Sequence, residues 1–104
     1  MGNPTANDRE AVILMLLSPG EKYGRAIRDA YEKETGKKMP TGSLYVTLDR
    51  MEKKGFLDSR VGESTHERGG NRRTYYEVTG HGARALQAYE LMNGGLGQGG
   101  VSFG

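Results

Sequence analysis

The chain has 104 residues, 35% hydrophobic and 27% charged, with no cysteine. That length allows one domain with one shared core, and the lack of cysteine excludes a disulfide framework or a thiolate metal site. A net charge of +2 with a sequence pI of about 9.0 leans toward an anionic partner, depending on where the charges fall.

Residues 1–6 read as a flexible N-terminus without the basic, apolar and small-residue order of a signal peptide. The longest apolar run, Ala11 to Leu17, is far shorter than the roughly 20 residues of a membrane span. A cytoplasmic protein with no membrane partner is expected.

A first helix is predicted from Asn7, which has capping-box spacing to Glu10. It runs through Ala11–Leu17 and stops at Ser18-Pro19-Gly20. Being apolar almost all round, it should be buried on most sides or shared with a second subunit. A second helix spans Gly24 to Gly36, with Tyr23, Ile27, Ala30 and Tyr31 at helical spacing and Gly36 as its stop. A third follows Pro40-Thr41, with Thr41 expected as its cap and Gly55 as its end. Leu44, Leu48 and Met51 form its apolar stripe, and Lys53 and Lys54 suit the negative end of its dipole.

From Phe56 the period changes to alternation, which predicts a short strand through Val61. A polar stretch from Glu63 to Asn71, ending Arg68-Gly69-Gly70-Asn71, leads into a returning strand, Arg73 to Thr79. A fourth helix begins at Thr79 and carries Ala83, Leu86, Tyr89 and Met92; Gly80 and Gly82 weaken its start, so packing must hold it. Residues 94–104 form a glycine-rich tail that cannot repay its ordering entropy. The pattern is mainly α with a small antiparallel β-hairpin. Three helices, a basic hairpin and a closing helix make residues 7–93 a winged helix-turn-helix domain.

That pattern makes the third helix the candidate reader of DNA. With Leu44, Leu48 and Met51 turned inward, Ser43, Val46, Asp49, Arg50 and Lys53 point outward and Tyr45 lies at one edge. Ser43 suits a base edge or a phosphate, Val46 a thymine methyl, and Arg50 a phosphate or guanine. The amides of Gly42 and Ser43 offer a phosphate seat at the helix start. Arg72 and Arg73 stand where a wing meets a minor groove or the flanking phosphates. The candidate DNA-binding residues are Lys38, Thr41, Ser43, Tyr45, Val46, Arg50, Lys53, Arg72 and Arg73. Asp49, Glu63 and Glu67 oppose phosphate and motivate an alternative, a winged-helix protein-interaction module without specific DNA binding.

An enzyme is not expected. No nucleophile–base–orienter set is visible, and the glycines form no phosphate-binding fingerprint. His66 and His81 stand alone, so neither a metal site nor any other cofactor is expected.

Three segments carry a family resemblance. Leu14-Met15-Leu16-Leu17-Ser18-Pro19-Gly20 with Tyr23-Gly24-Arg25-Ala26-Ile27 is similar to the opening of PadR-type regulators. Gly42 to Leu57 resembles their G-T-L-Y-P-x-L-x-R-L-E-x-x-G-L-I signature, and Arg73 to Gly82 their R-K-Y-Y-x-L-T-x-x-G wing strand. The likeness runs over residues 11–88. It implies a transcription factor, usually a repressor, acting as a homodimer on a palindromic operator in double-stranded DNA. It also implies contacts from Ser43, Tyr45, Val46, Arg50, Arg72 and Arg73, with Tyr45 on a phosphate. Val46 replaces the usual proline, Arg25 replaces an aromatic, and the fourth helix, ending near Asn93, is short. Dimerisation is expected through the first and fourth helices. With no Trp, nothing in the chain supports a small-molecule inducer.

Overall fold

The computed structural model describes residues 5–62 and 72–93. The expected wing tip, with Glu63, His66, Glu67, Arg68, Gly69, Gly70 and Asn71, lies outside the described residues, as do residues 1–4 and the glycine-rich tail.

Helix α1 (Asp8–Leu17) starts on the expected capping box. The Glu10 amide donates to the Asn7 side chain at 2.8 Å, and the Asn7 amide donates to the Glu10 carboxylate at 3.0 Å. This satisfies two amides that a helix start leaves free. The next element, strand β1 (Lys22–Tyr23), is absent from the sequence reading, because two residues are too few for alternation to register. It pairs antiparallel with β3, Lys22 opposite Tyr76 and Tyr23 opposite Tyr75.

Helix α2 (Gly24–Thr35) buries Ile27 and Tyr31 and ends at Gly36, whose φ of 74° is left-handed and suits glycine. Helix α3 (Thr41–Lys53) corrects one expectation. Pro40, not Thr41, is its N-cap, and the Pro40 carbonyl accepts from the Leu44 amide at 3.0 Å. Thr41 already has a place in the helix, one residue too late to cap it. Its hydroxyl instead accepts from Arg28 Nη1 at 3.0 Å, tying α2 to the start of α3. The turn between the helices is also held by the Met39 amide, which donates to the Glu32 carboxylate at 2.7 Å.

Strands β2 (Leu57–Val61) and β3 (Thr74–Val78) form the expected antiparallel pair, Leu57 opposite Val78 and Val61 opposite Thr74. The sheet therefore has three strands in the order β1-β3-β2. Helix α4 (Gly80–Met92) is capped by Thr79, whose hydroxyl accepts from the Gly82 amide at 2.9 Å and donates to the Gly55 carbonyl at 2.6 Å. Gly82 lies so close to Phe56 that a Cβ would stand 3.0 Å from its carbonyl carbon. Packing thus holds this glycine-weakened start, as its sequence requires.

The core joins Ile13, Leu14 and Leu17 of α1 to Ile27 of α2, Leu44, Leu48 and Met51 of α3, and Phe56 and Leu57 beyond. One charged group lies within it. Glu10 is fully buried, and Lys54 Nζ sits 2.8 and 3.1 Å from its two oxygens while also donating to the Thr5 carbonyl at 3.2 Å. This pair locks the start of α1 to the end of α3. At the same start of α1 the Tyr89 hydroxyl donates to Asp8 at 2.5 Å, and that bond holds its phenol above the ordinary tyrosine pKa. No helix among the described residues is long and apolar enough to cross a membrane.

Candidate nucleic-acid interface

The inward turn of Leu44, Thr47, Leu48 and Met51 fixes which side of α3 faces outward. Thr47 was not on the predicted stripe, but its flank position places it in the core at 3% exposure. Outward lie Tyr45 and Val46, 43% and 59% exposed, with Asp49, Arg50 and Lys53. Exposure of a β-branched residue in mid-helix gains nothing in folding, so Val46 is available for an apolar contact. Ser43 is half-buried, and Lys38 and Thr41 are exposed around the start of the helix.

Asp49 does not stand as a bare negative charge. Lys53 Nζ lies 3.1 Å from its carboxylate, one helical turn on. That pair is solvent-exposed and adds little stability, but it offsets the repulsion Asp49 would present to phosphate. Part of the positive charge of Lys53 is engaged in the same pairing.

The base of the wing is built by stacking. The Arg73 guanidinium carbon lies 4.3 Å from the Tyr23 ring centroid, and Tyr23 meets Tyr75 edge-on at 5.7 Å. Arg60 covers Tyr75 at 4.8 Å and is itself paired with Glu21. Arginine over an aromatic face is held by the ring quadrupole, so Arg73 is oriented before any ligand arrives. Sequence reasoning missed this platform because Tyr23 joins the sheet only through the two-residue β1.

These elements converge. Tyr45 of α3 shares one cleft with Arg72, Arg73 and Thr74 of the wing and with Tyr23, Gly24, Arg25 and Asp29 from β1 and α2. Gly24 permits the approach, since a Cβ there would overlap the Tyr45 ring. Arg50 falls on the other flank of α3, in a cleft with Thr47 and with Asn7, Asp8 and Arg9 of α1. Of the predicted residues, Tyr45, Arg72 and Arg73 are thus brought together, while Arg50 is separate and Lys38 and Lys53 stand at opposite ends of α3. Among the described residues no group of three His, Cys, Asp or Glu side chains is placed to hold a metal ion.

A helix pair ending in an exposed third-helix face, followed by a hairpin that carries arginines at its base, is a winged helix-turn-helix domain. The family model described as Transcriptional regulator PadR-like family matches residues 13–88. The chain belongs to that family, one of transcriptional regulators rather than enzymes. A transcriptional regulator from Clostridium thermocellum is similar at 31% identity and a TM-score of 0.68, over 78% of this chain and 75% of that one. A PadR family transcription regulator from Clostridium difficile R20291 is 27% identical with a TM-score of 0.69, covering 83% of this chain and 86% of the other. Bacillus subtilis PadR in complex with operator DNA shares the fold at 22% identity and a TM-score of 0.66, over 78% of this chain and 44% of that chain. A comparison with curated proteins found no match.

Proposed function

We propose that this regulator binds a specific sequence in double-stranded DNA as a homodimer, and that it represses transcription from a palindromic operator. The observation that carries the reading is the cleft where Tyr45 of α3 meets Arg72 and Arg73 of the wing. It joins the helix that would enter a major groove to the arginines that would reach the flanking backbone. The known complex of Bacillus subtilis PadR with operator DNA supports the same reading by kinship of fold. Ser43, Val46 and Arg50 are the proposed base readers. Lys38, Thr41, Tyr45, Lys53, Arg72 and Arg73 are the proposed phosphate contacts.

The dimer is proposed from α1 and α4. Val12, Met15 and Leu16 of α1 are only half-buried, and Leu91 and Met92 at the end of α4 are each 80% exposed. Apolar side chains left open on two helices of a small domain favour an isologous partner. The interaction-module alternative loses part of its motive, since Lys53 meets the charge of Asp49.

Titration into DNA from the promoter region of its own gene tests the proposal. Binding should be tight, fall steeply with salt, and exceed binding to random DNA. Equal affinity for the two would overturn operator recognition. Arg73→Ala should weaken all sequences alike, whereas Arg50→Ala should also relax specificity.

A further inference from the structure

Two clefts border the exposed face of α3, one on each side. At about 100° per residue, Tyr45 and Arg50 stand roughly 140° apart around the helix, with Val46, Asp49 and Lys53 between them. The Tyr45 cleft contains Arg25 from the first turn of α2, and the Arg50 cleft contains Arg9 from the first turn of α1. Neither arginine belongs to the recognition helix or the wing.

Both arginines are exposed, and neither forms an ion pair with a described residue. Each cleft also holds a carboxylate, Asp29 or Asp8, and neither forms an ion pair with the arginine that shares its cleft. Asp29 faces Arg28 at 4.0 Å, and Asp8 accepts from the Tyr89 hydroxyl at 2.5 Å. A guanidinium with no ion-pair partner among the described residues, beside a groove-sized helix, suits a phosphate, whose oxygens match its fork of donors. A helix lying in a major groove about 12 Å wide has one phosphodiester strand along each side. The two clefts lie where those strands would run.

We infer that Arg9 and Arg25 each seat a backbone phosphate, one on either strand bordering the groove that α3 occupies. The recognition helix is then clamped from both sides rather than from the wing side alone. This rests on the DNA-binding reading above. It adds two contacts that carry no sequence information and that fix how deeply and at what angle α3 enters.

The full-length protein is titrated, over a range of salt, into a short duplex of random sequence and into a duplex it selects from a random pool. Because each substitution is present in both copies of the dimer, Arg9→Ala and Arg25→Ala should each flatten the plot of log affinity against log salt by about 1.8, and the double variant by about 3.6. The loss should be equal on both duplexes. Phosphate ethylation of the selected duplex should interfere on both strands with the parent protein. Within each half-site, Arg9→Ala should lose that interference on one strand and Arg25→Ala on the other, the strands exchanging between the half-sites by the two-fold symmetry. An unchanged salt slope for either variant, or loss on the same strand of a half-site for both, overturns the clamp. Lysine at either position should restore the slope; lysine variants no better than alanine also overturn it. Arg50→Ala and Arg73→Ala are run alongside. If they weaken binding while Arg9→Ala and Arg25→Ala do not, the clamp fails and the DNA-binding reading stands; if none of the four matters, both fail.

Discussion

Gly24 opens α2 with no side chain, and Tyr45 fills the space. A Cβ at Gly24 would stand 2.8 Å from Cζ and 2.9 Å from Cε1 of that ring. The obstructing group is the far end of an exposed side chain, which can swing away at little cost. Gly24→Ala should therefore change stability by no more than about 1 kcal/mol, yet displace Tyr45 from its cleft. We expect DNA affinity to fall as much as in Tyr45→Ala, with no further loss in the double variant. A double-mutant cycle measured by DNA titration checks this, and additive losses would separate Gly24 from Tyr45.

A second residue-scale prediction concerns Lys54. Removing its ammonium leaves the Glu10 carboxylate fully buried with, among the described residues, only the Asn7 amide as donor. Breaking a buried pair from one side is costly, so Lys54→Met should lose about 3 kcal/mol in urea unfolding. Glu10→Gln, which keeps an acceptor for Asn7, should lose clearly less. The outward set on α3 was legible from sequence because Leu44, Leu48 and Met51 fix the wheel. The Glu10–Lys54 pair was not, since a capping-box glutamate ordinarily lies in solvent and its partner is 44 positions away.

At the scale of elements, periodicity located what was long enough to show it. All four helices and both hairpin strands follow their sequence patterns, whereas β1 is defined only by its pairing with β3. The start of α3 shows a similar limit: threonine after proline reads as a cap until the backbone shows Pro40 already in that role. The start of α4 was read as weak, and its compensation is specific. Gly82 rests on the Phe56 backbone, which cannot move aside as the Tyr45 ring can. Gly82→Ala should therefore destabilise the protein by about 1–3 kcal/mol through overpacking, despite alanine's better helix propensity. Thermal and urea unfolding measure the change; a neutral or stabilising effect would mean that α4 shifts freely on the sheet.

For the whole molecule, a net charge of +2 is modest for a DNA-binding surface, so placement and duplication must supply what the total does not. Arg9, Arg25, Arg50, Arg72 and Arg73 fall around one helix, and a dimer would present that set twice to a palindrome. The proposed interface must then be carried by α1 and the short α4, where Leu91 and Met92 stand open at 80% exposure. Replacing both with aspartate removes no core contact, so unfolding of the isolated domain should change by less than about 0.5 kcal/mol. Association should weaken instead, because two charges per chain would have to be buried against their symmetry mates. Light scattering should show monomer at concentrations where the parent chain is dimeric. DNA binding should become steeply dependent on protein concentration on the palindrome, while a single half-site is bound as before. An unchanged dimer would place the interface on α1 alone.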